Sequence, residues 1–514
     1  MTVATERFRS YVEENLDALG QEPDNEAVVH HDRRMTAGEL RDLIYRMARA
    51  LQAQGVRRGQ TVTLLCGNIP ETIAARYAAN LLGCPVNHLY NKLSADVQAN
   101  IVRDVETHAL IVDPAYTGRA AELASRAPVP HVLVLGPTTV GLDLLALAGK
   151  ESAEPFAGLA EPDDTCTIRH TGGTTGHPKA ICSSFEQGRG INADWHDEDG
   201  IRALVCTTLA HAAGLVADRA LGVVGGTVVL LDDFDAGAVL STIEQERISH
   251  LFLLPPLLYQ LMDHPDATRA DTSSLRRLTY GGCPSSPARL ANAVRYFGPV
   301  LNQFYGQNEA GGISMLEPED HDPARPELLR SAGKIMDGVE VAIRDEQGRD
   351  LPHGEHGEIC VRSSHVMQGY WKQPELTAEV LRNGWLHTGD VGYLDDAGYL
   401  TIVDRLKDMI VVVGGHVYTV ELEDVLNSHP QVLQSAVFGV PDANLMEQVH
   451  AAVVRKPGSE VDEEELRAMV REERGAMYEP TRIVFVDALP LTDAGKPDKK
   501  LLRSQAGTVG AALG

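Results

Sequence analysis

Residues 169–180 read RHTGGTTGHPKA, with Gly and Thr crowded ahead of Pro178 and Lys179. Glycines let a backbone turn its N–H groups toward an anion, and threonine hydroxyls add donors. The run "TCTIR" just before it reads as a strand, and a helical stretch is expected just after it. By itself such a loop is either a phosphate cradle or a surface turn, because Gly-rich stretches are weak signals. It is not a Walker loop: the G-x-x-x-x-G-K-[ST] spacing is missing and Pro178 precedes the lysine.

Working outward from the loop, short apolar runs alternate with amphipathic stretches. Thr36-x-x-Glu39 is a capping box before a helix on which Leu40, Leu43, Ile44, Met47, Ala48 and Leu51 repeat at helical spacing; Gly55 closes it. "VTLLC", "HALIVD" and "PHVLVLG" read as buried strands, with a helix from about Pro70 to Leu82. Beyond the loop, "RALVCTTLA", "GTVVLL", "HLFLLPP", "LRRLTYGG" and "VLNQFYG" read as strands, with helices over Ala236–Glu246 and Pro287–Phe297. This alternation implies α/β layers around a largely parallel sheet. After about residue 330 the texture changes. Val339, Val341 and Ile343 alternate and the run breaks at Gly348, the pattern of antiparallel hairpins. From about Arg405 a smaller βαβ-like unit is expected, built on "DMIVVV", a helix near Glu421–Ser428, "SAVFGV" and "HAAVVRK". "EVDEEELRAMVREE" reads as a helix with a solvated charged face, and the tail "SQAGTVGAALG" as frayed.

The 514 residues carry 46 Lys and Arg against 72 Asp and Glu, a formal charge of −26. Nucleic-acid binding needs a basic face, so no nucleic-acid partner is expected. The seven cysteines form no CxxC pair, which argues against a zinc site of such pairs and for reduced thiols. The N-terminal stretch is charged throughout, and no apolar run reaches the ~20 residues that span a bilayer. A cytoplasmic protein without stable membrane insertion is expected.

Three distant stretches complete the pattern: "YGQNEAGG" with Tyr305, Gly306 and Glu309; "HTGDVGYLDDAGYLTIVDRLKDM" with Asp390, Arg405, Lys407 and Asp408; and "PLTDAGKPDKKLLR" with Lys496. With these in order from about residue 25 to 503, the chain resembles the adenylate-forming superfamily of acyl-CoA synthetases, aryl-CoA ligases, peptide-synthetase adenylation domains and luciferases. The resemblance implies an α/β fold. A large N-terminal domain, residues 1–404, would carry layered sheets, helices and a small barrel-like part. A smaller, mobile α+β domain, residues 405–514, would hinge near Lys407. It implies that ATP and a carboxylic acid form an acyl-adenylate and pyrophosphate, after which a thiol displaces AMP.

On that resemblance, Thr171, Gly172, Gly173, Thr174, Thr175 and Gly176 with Lys179 would hold the β- and γ-phosphates. Glu309 would bind Mg²⁺. Gly281, Gly282 and Cys283 would lie against adenine and the acyl group, with Tyr305, Gly306 and Asn308 beside the nucleotide. Asp390 and Arg405 would grip the ribose, Lys496 would neutralise charge as the acyl–phosphate bond forms, and His211 would flank the acyl pocket. Alternatives stay open. His211 also reads as a core histidine, Lys496 as one exposed lysine in a Lys-rich tail, and Tyr305 and Trp385 as packing residues. Gly281, Gly282, Gly311 and Gly312 would leave room for a flat, aromatic acid.

Four departures stand out. Gly172 replaces a usual Ser, Asn308 a usual Thr, and Met446 a frequent Gly. The loop Gly414–Tyr418, carrying His416, is one residue shorter than the family's Gly-Gly-x-Asn loop and lacks the Asn. That loop lines the thiol's entry, so the acceptor is open: CoA first, otherwise a carrier protein, an amine, or nitrite in the diazotisation of an arylamine. A catalytically silent nucleotide-binding regulator is the third alternative.

Overall fold

A computed structural model describes residues 7–170, 179–189, 195, 198, 200–412, 415–441, 447–492 and 496–510. The chain divides into two compact units. The first comprises residues 1–253, 260–279 and 364–379, and the second residues 254–259, 280–363 and 380–514.

The first unit is the α/β half. Its larger sheet runs in the order Gly369–Tyr370, Ala180–Ser184, Thr165–His170, Val86–His88, Val62–Leu65, Ala109–Val112, His131–Val134, Leu142–Asp143. From Thr165–His170 onward every pairing is parallel. Strands buried on both faces need no alternation, which is why "VTLL" and "ALIV" are continuously apolar. A second sheet sets Glu26–His30, Thr227–Leu230, Arg202–Val205 and His250–Leu253 in parallel, with Arg33–Thr36 antiparallel at its edge. The helix Ala37–Ala53 starts at the capping box: Glu39 N–H donates to Thr36 Oγ1 at 3.1 Å, and Thr36 N–H to Glu39 Oε2 at 2.9 Å.

The helix Pro70–Leu81 is buried all round. Its polar residues must therefore be satisfied inside the protein. Asp218 does this: Arg76 forks onto both its oxygens, and Tyr77 Oη donates to Oδ1 at 2.8 Å. Leu40, Ile44, Met47, Ile73, Ala74 and Val205 join the main core of this unit.

The second unit is mainly antiparallel. Leu301–Gln307 pairs with Gly311–Leu316, which pairs with Lys334–Ile335. A curled five-stranded sheet follows, in which Gly357–Arg362 and Trp385–Leu394 are central and Glu340–Arg344, Leu381–Arg382 and Leu400–Arg405 lie outside. The expected antiparallel hairpin pairing holds across Val341 and Ile343, and Gly348 turns the chain at φ +76°. A last subdomain contains the hairpin Ile410–Val412 with Gly415–Val417, the helix Thr419–Ser428, and a sheet of Val432–Pro441, Glu447–Arg455 and Arg482–Phe485.

Three expectations need correction. The segment after the glycine-rich loop is the strand Ala180–Ser184, antiparallel to Thr165–His170, and not a helix. Ala180, Ile181 and Cys182 are buried, and a ladder pairs their backbone where the sequence offers no helical stripe. "DMIVVV" supplies a two-stranded hairpin of its own; the parallel crossover of this region joins Glu447–Arg455 to Arg482–Phe485 through the helix Glu463–Arg474. The tail is ordered as a helix over Lys499–Gly510, because Leu502 is buried with Ala506 beside it.

Candidate active site

In the second unit one buried carboxylate collects the side chains that the sequence had scattered. Asp390, 3 % exposed, lies on Trp385–Leu394 and pairs in register with Arg405 on the next strand. Its Oδ1 meets Arg405 Nε at 2.9 Å. Its Oδ2 accepts from Tyr305 Oη at 2.7 Å and from Gln307 Nε2 at 2.6 Å. Gln307 also donates to the Thr388 carbonyl at 3.1 Å. Tyr305 and Gln307 stand on one face of Leu301–Gln307 because strand side chains repeat every second residue. Three donors thus satisfy a carboxylate that is otherwise shut off from water.

The turn that presents Asp390 is fixed from behind. Glu358 Oε1 accepts from Gly389 N–H at 3.2 Å, and its Oε2 lies 2.6 Å from His387 Nδ1. Cys360 Sγ stands 3.4 Å from the same ring nitrogen. Burial pushes the Cys360 thiol up to about 12, so it remains a neutral packing group.

Cations gather around this carboxylate. Arg405 is in electrostatic reach of Asp390, Tyr305, Asp408 and Glu309. Lys496 is half-buried, and burial first, then the Arg405 charge, hold its pKa below the ordinary lysine range. Cys283 and Asp390 act on it in the opposite sense, and Lys407 adds to the lowering. The reading of Lys496 as one more exposed lysine therefore fails. Cys283 is itself pushed up to about 12 by burial, against the Lys496 charge, so it is no thiolate. Lys407 stands in a turn closed by Asp408 N–H on the Arg405 carbonyl at 2.9 Å.

Two of the four glycines expected to leave room for the acid have a backbone use of their own. A Cβ at Gly281 would stand 2.1 Å from the Phe304 carbonyl oxygen, so this glycine permits close passage of backbone rather than leaving room for a flat acid. Gly282 is needed for its φ of +86°. Gly306 lies near the end of the strand Leu301–Gln307, Glu309 lies within the turn that leads into Gly311–Leu316, and Asn308 in that turn is exposed. Trp385 packs between Arg344 and Arg362, each 4.6 Å from its ring centre.

In the first unit, Lys179 opens the strand Ala180–Ser184, and its Nζ lies 4.9 Å over the Tyr370 ring. His211 is the N-cap of the helix Ala212–Leu221; it is exposed, with its ring 5.5 Å from Tyr90, which removes the core-histidine reading. Thr171, Gly172, Gly173, Thr174, Thr175 and Gly176 lie outside the described residues, as do Gly414 and Met446. Sequence reasoning missed Gln307, Thr388 and Glu358. Gln307 sat inside the quoted "YGQNEA" stretch, but nothing local tells that its amide meets Asp390.

The fold is mixed α/β with a small C-terminal subdomain, and its second unit carries a carboxylate–tyrosine–arginine cluster beside a half-buried lysine. The chain matches the AMP-binding enzyme family over residues 16–371 and that family's C-terminal domain over 421–496, and it belongs to that adenylate-forming family. It is 38 % identical over 495 residues to a medium/long-chain fatty-acid–CoA ligase of Mycobacterium tuberculosis, covering 92 % of this chain and 86 % of that protein. It is 36 % identical over 500 residues to a feruloyl-CoA synthase of Amycolatopsis, covering 94 % and 96 %. Among solved structures, the amide bond synthetase McbA of Marinactinospora thermotolerans superposes with a TM-score of 0.90 at 40 % identity, covering 96 % of this chain and 99 % of that one. The protein is an AMP-forming ligase that binds ATP. Among the described residues no helix is long and apolar enough to cross a membrane.

Proposed function

We propose that the protein activates a small carboxylic acid with ATP and passes the acyl group to the thiol of CoA. The observation that carries the first half is the convergence of Arg405 and the desolvated Lys496 on Asp390. In adenylation a carboxylate oxygen bonds to the α-phosphorus as the bond to pyrophosphate breaks. Two anions approach, so the barrier is largely electrostatic and fixed cations lower it. Lys496 is the cation assigned to the acyl–phosphate oxygen. Asp390, held by Tyr305 and Gln307, is assigned to the ribose hydroxyls with Arg405. Lys179 and the Thr171–Gly176 loop are assigned to the β- and γ-phosphates, Gly281–Cys283 to the adenine and acyl side, and His211 to the acyl pocket.

Glu309 offers the hard oxygen that Mg²⁺ prefers, and a cation there would offset the charge of the leaving pyrophosphate. The segment from 405 is assigned to a moving domain that turns at Lys407 between the two half-reactions. The fatty-acid and feruloyl ligases among the relatives support CoA as acceptor. A second reading keeps adenylation and delivers the acyl group to an amine. The likeness to an amide bond synthetase at 40 % identity favours it.

The test is pyrophosphate release from Mg²⁺-ATP across fatty, cinnamic, benzoic and amino-aryl acids, each alone, with CoA, and with an amine. Release that one acid triggers and CoA accelerates, with an acyl-CoA product, is the expected result. An amide formed without CoA establishes the second reading. No release with any acid refutes adenylation of this substrate class.

A further inference from the structure

On the first unit's larger sheet, three polar groups face the same way and lack partners. The parallel strands Val86–His88 and Thr165–His170 pair Val86 with Thr167 and Asn87 with Ile168. One residue further, the register sets His88 level with Arg169. Paired residues of parallel strands share a face, so Thr167, His88 and Arg169 point with Val86 into the main core, and Ile168 points the other way. Thr167 Oγ1 and His88 Nε2 are buried without a hydrogen bond. Among the described residues, no hydrogen bond or ion pair reaches the Arg169 guanidinium.

Native proteins leave few buried polar atoms unpaired, as Thr167 Oγ1 and His88 Nε2 are here, and the half-buried Arg169 guanidinium beside them carries a charge with no counter-ion of its own among the described residues. The nearest acid does not solve it. Asp218 is in electrostatic reach of Arg169, but both its oxygens are taken by Arg76, with Tyr77 on one of them. Burial, with Arg76 beside it, holds His88 neutral, its pKa pushed down to about 3. Arg76 is neutralised by Asp218, so one uncompensated positive charge remains, on a planar fork of donors. The cluster continues to His211, which is in electrostatic reach of His88 and stands beside Tyr90.

We propose that Arg169, His88 and Thr167 form a recognition subsite for a second carboxylate, carried by the acid substrate at the end remote from the reacting one. The inference rests on the adenylation reading for what the ligand is, and on the three unpaired groups for where it binds. A carboxylate suits them because it matches the guanidinium fork with two parallel hydrogen bonds and cancels its charge. His88 and Thr167 are left to donate to its remaining lone pairs. Water would satisfy the hydrogen bonds and leave the charge.

The experiment is calorimetric binding to the full chain of straight α,ω-dicarboxylic acids and of alkanoic acids of equal length, and of terephthalic against benzoic acid. Pyrophosphate release is measured on the same acids. The diacids are expected to bind at least about tenfold tighter than their partners, the scale of one charge-assisted hydrogen bond. Arg169→Met removes that preference while monoacid binding is unchanged, and Arg169→Lys keeps part of it. The wild-type comparison needs no variant, so a misfolded substitution cannot decide the matter. Equal binding of diacids and monoacids overturns the subsite, as does an Arg169→Met variant that loses ATP affinity instead. Pyrophosphate release by monoacids without diacid binding leaves adenylation standing and removes the subsite. Diacid binding that Arg169→Met abolishes, with no release from any acid, keeps the subsite and removes adenylation.

Discussion

In the proposed adenylation, Lys496 is the residue on which the chemistry would turn. It is half-buried, with Arg405 near it, and both facts favour its neutral form. The sign follows: a lysine with a lowered pKa loses its charge earlier as pH rises. Adenylation should therefore fall on the alkaline side below the range of an ordinary lysine, and Lys496→Arg should move that limb upward. A pH profile of pyrophosphate release on both proteins decides it; an identical limb removes the assignment. Lys496→Ala should lower adenylate formation by about 10²-fold or more, the scale of one preorganised charge partner. Thiol transfer from a supplied adenylate should be spared, and equal loss in both steps refutes the role. Tyr305 is the milder case. It gives Asp390 one of three bonds, and the other two remain in Tyr305→Phe. That variant should lose about 1 kcal/mol of hydrogen bonding, read as a roughly fivefold rise in the KM for ATP.

At the scale of elements, Asp404 ends the curled sheet and starts the last subdomain. It is 3 % exposed and accepts from Arg405 N–H at 2.7 Å, Thr419 N–H at 2.5 Å and Thr419 Oγ1 at 3.2 Å. It thereby ties the strand Leu400–Arg405 to the first turn of the helix Thr419–Ser428. Losing all three hydrogen bonds in Asp404→Ala should cost about 3 kcal/mol of unfolding free energy, measured by denaturant. Burial raises its pKa from 3.8 to about 6, against the Lys499 charge. The folded state then binds the proton more tightly than the unfolded one, so this contribution is full below 3.8 and lost as pH rises through about 6. The stability difference between wild type and Asp404→Asn should shrink across that window; a flat difference refutes the shift.

Most elements were legible because the sequence states them locally. The capping box at Thr36, Pro at the first turns of Pro70–Leu81 and Pro287–Phe297, and the apolar runs of the parallel strands all act within a few residues. Ala180–Ser184 was not, since its strand state depends on a partner before the loop and on Gly369–Tyr370 far along the chain. Lys499–Gly510 was not, since a weak helix former becomes a helix by burying Leu502. At the site, Asp390 and Lys496 could be picked out by family resemblance. Gln307, Glu358 and the Thr167–His88–Arg169 face could not, because their meaning lies in who stands opposite.

For the molecule as a whole, the issue is whether one chain performs two reactions in turn. Lys496 is in electrostatic reach of Arg405, Lys407 and Asp390, and in the proposed function this arrangement is the one for adenylation. If the segment beyond 405 must then move, the turn Arg405–Asp408 has to absorb the change in backbone angles. Lys407 is the third residue of that turn. Proline there fixes its own φ near −65° and disfavours the helical region for Leu406, so the turn is forced toward another geometry. No backbone hydrogen bond from Lys407 N–H is lost among those of the described turn. Lys407→Pro should therefore leave the denaturation midpoint nearly unchanged and alter the half-reactions by unequal factors, differing by about tenfold or more. Pyrophosphate release measures the first half-reaction, and acyl transfer from a supplied adenylate measures the second. A hinge biases one arrangement over the other, so it must move the two rates apart. A turn that only supports the fold would lower both together, and equal losses would assign Lys407 to that role.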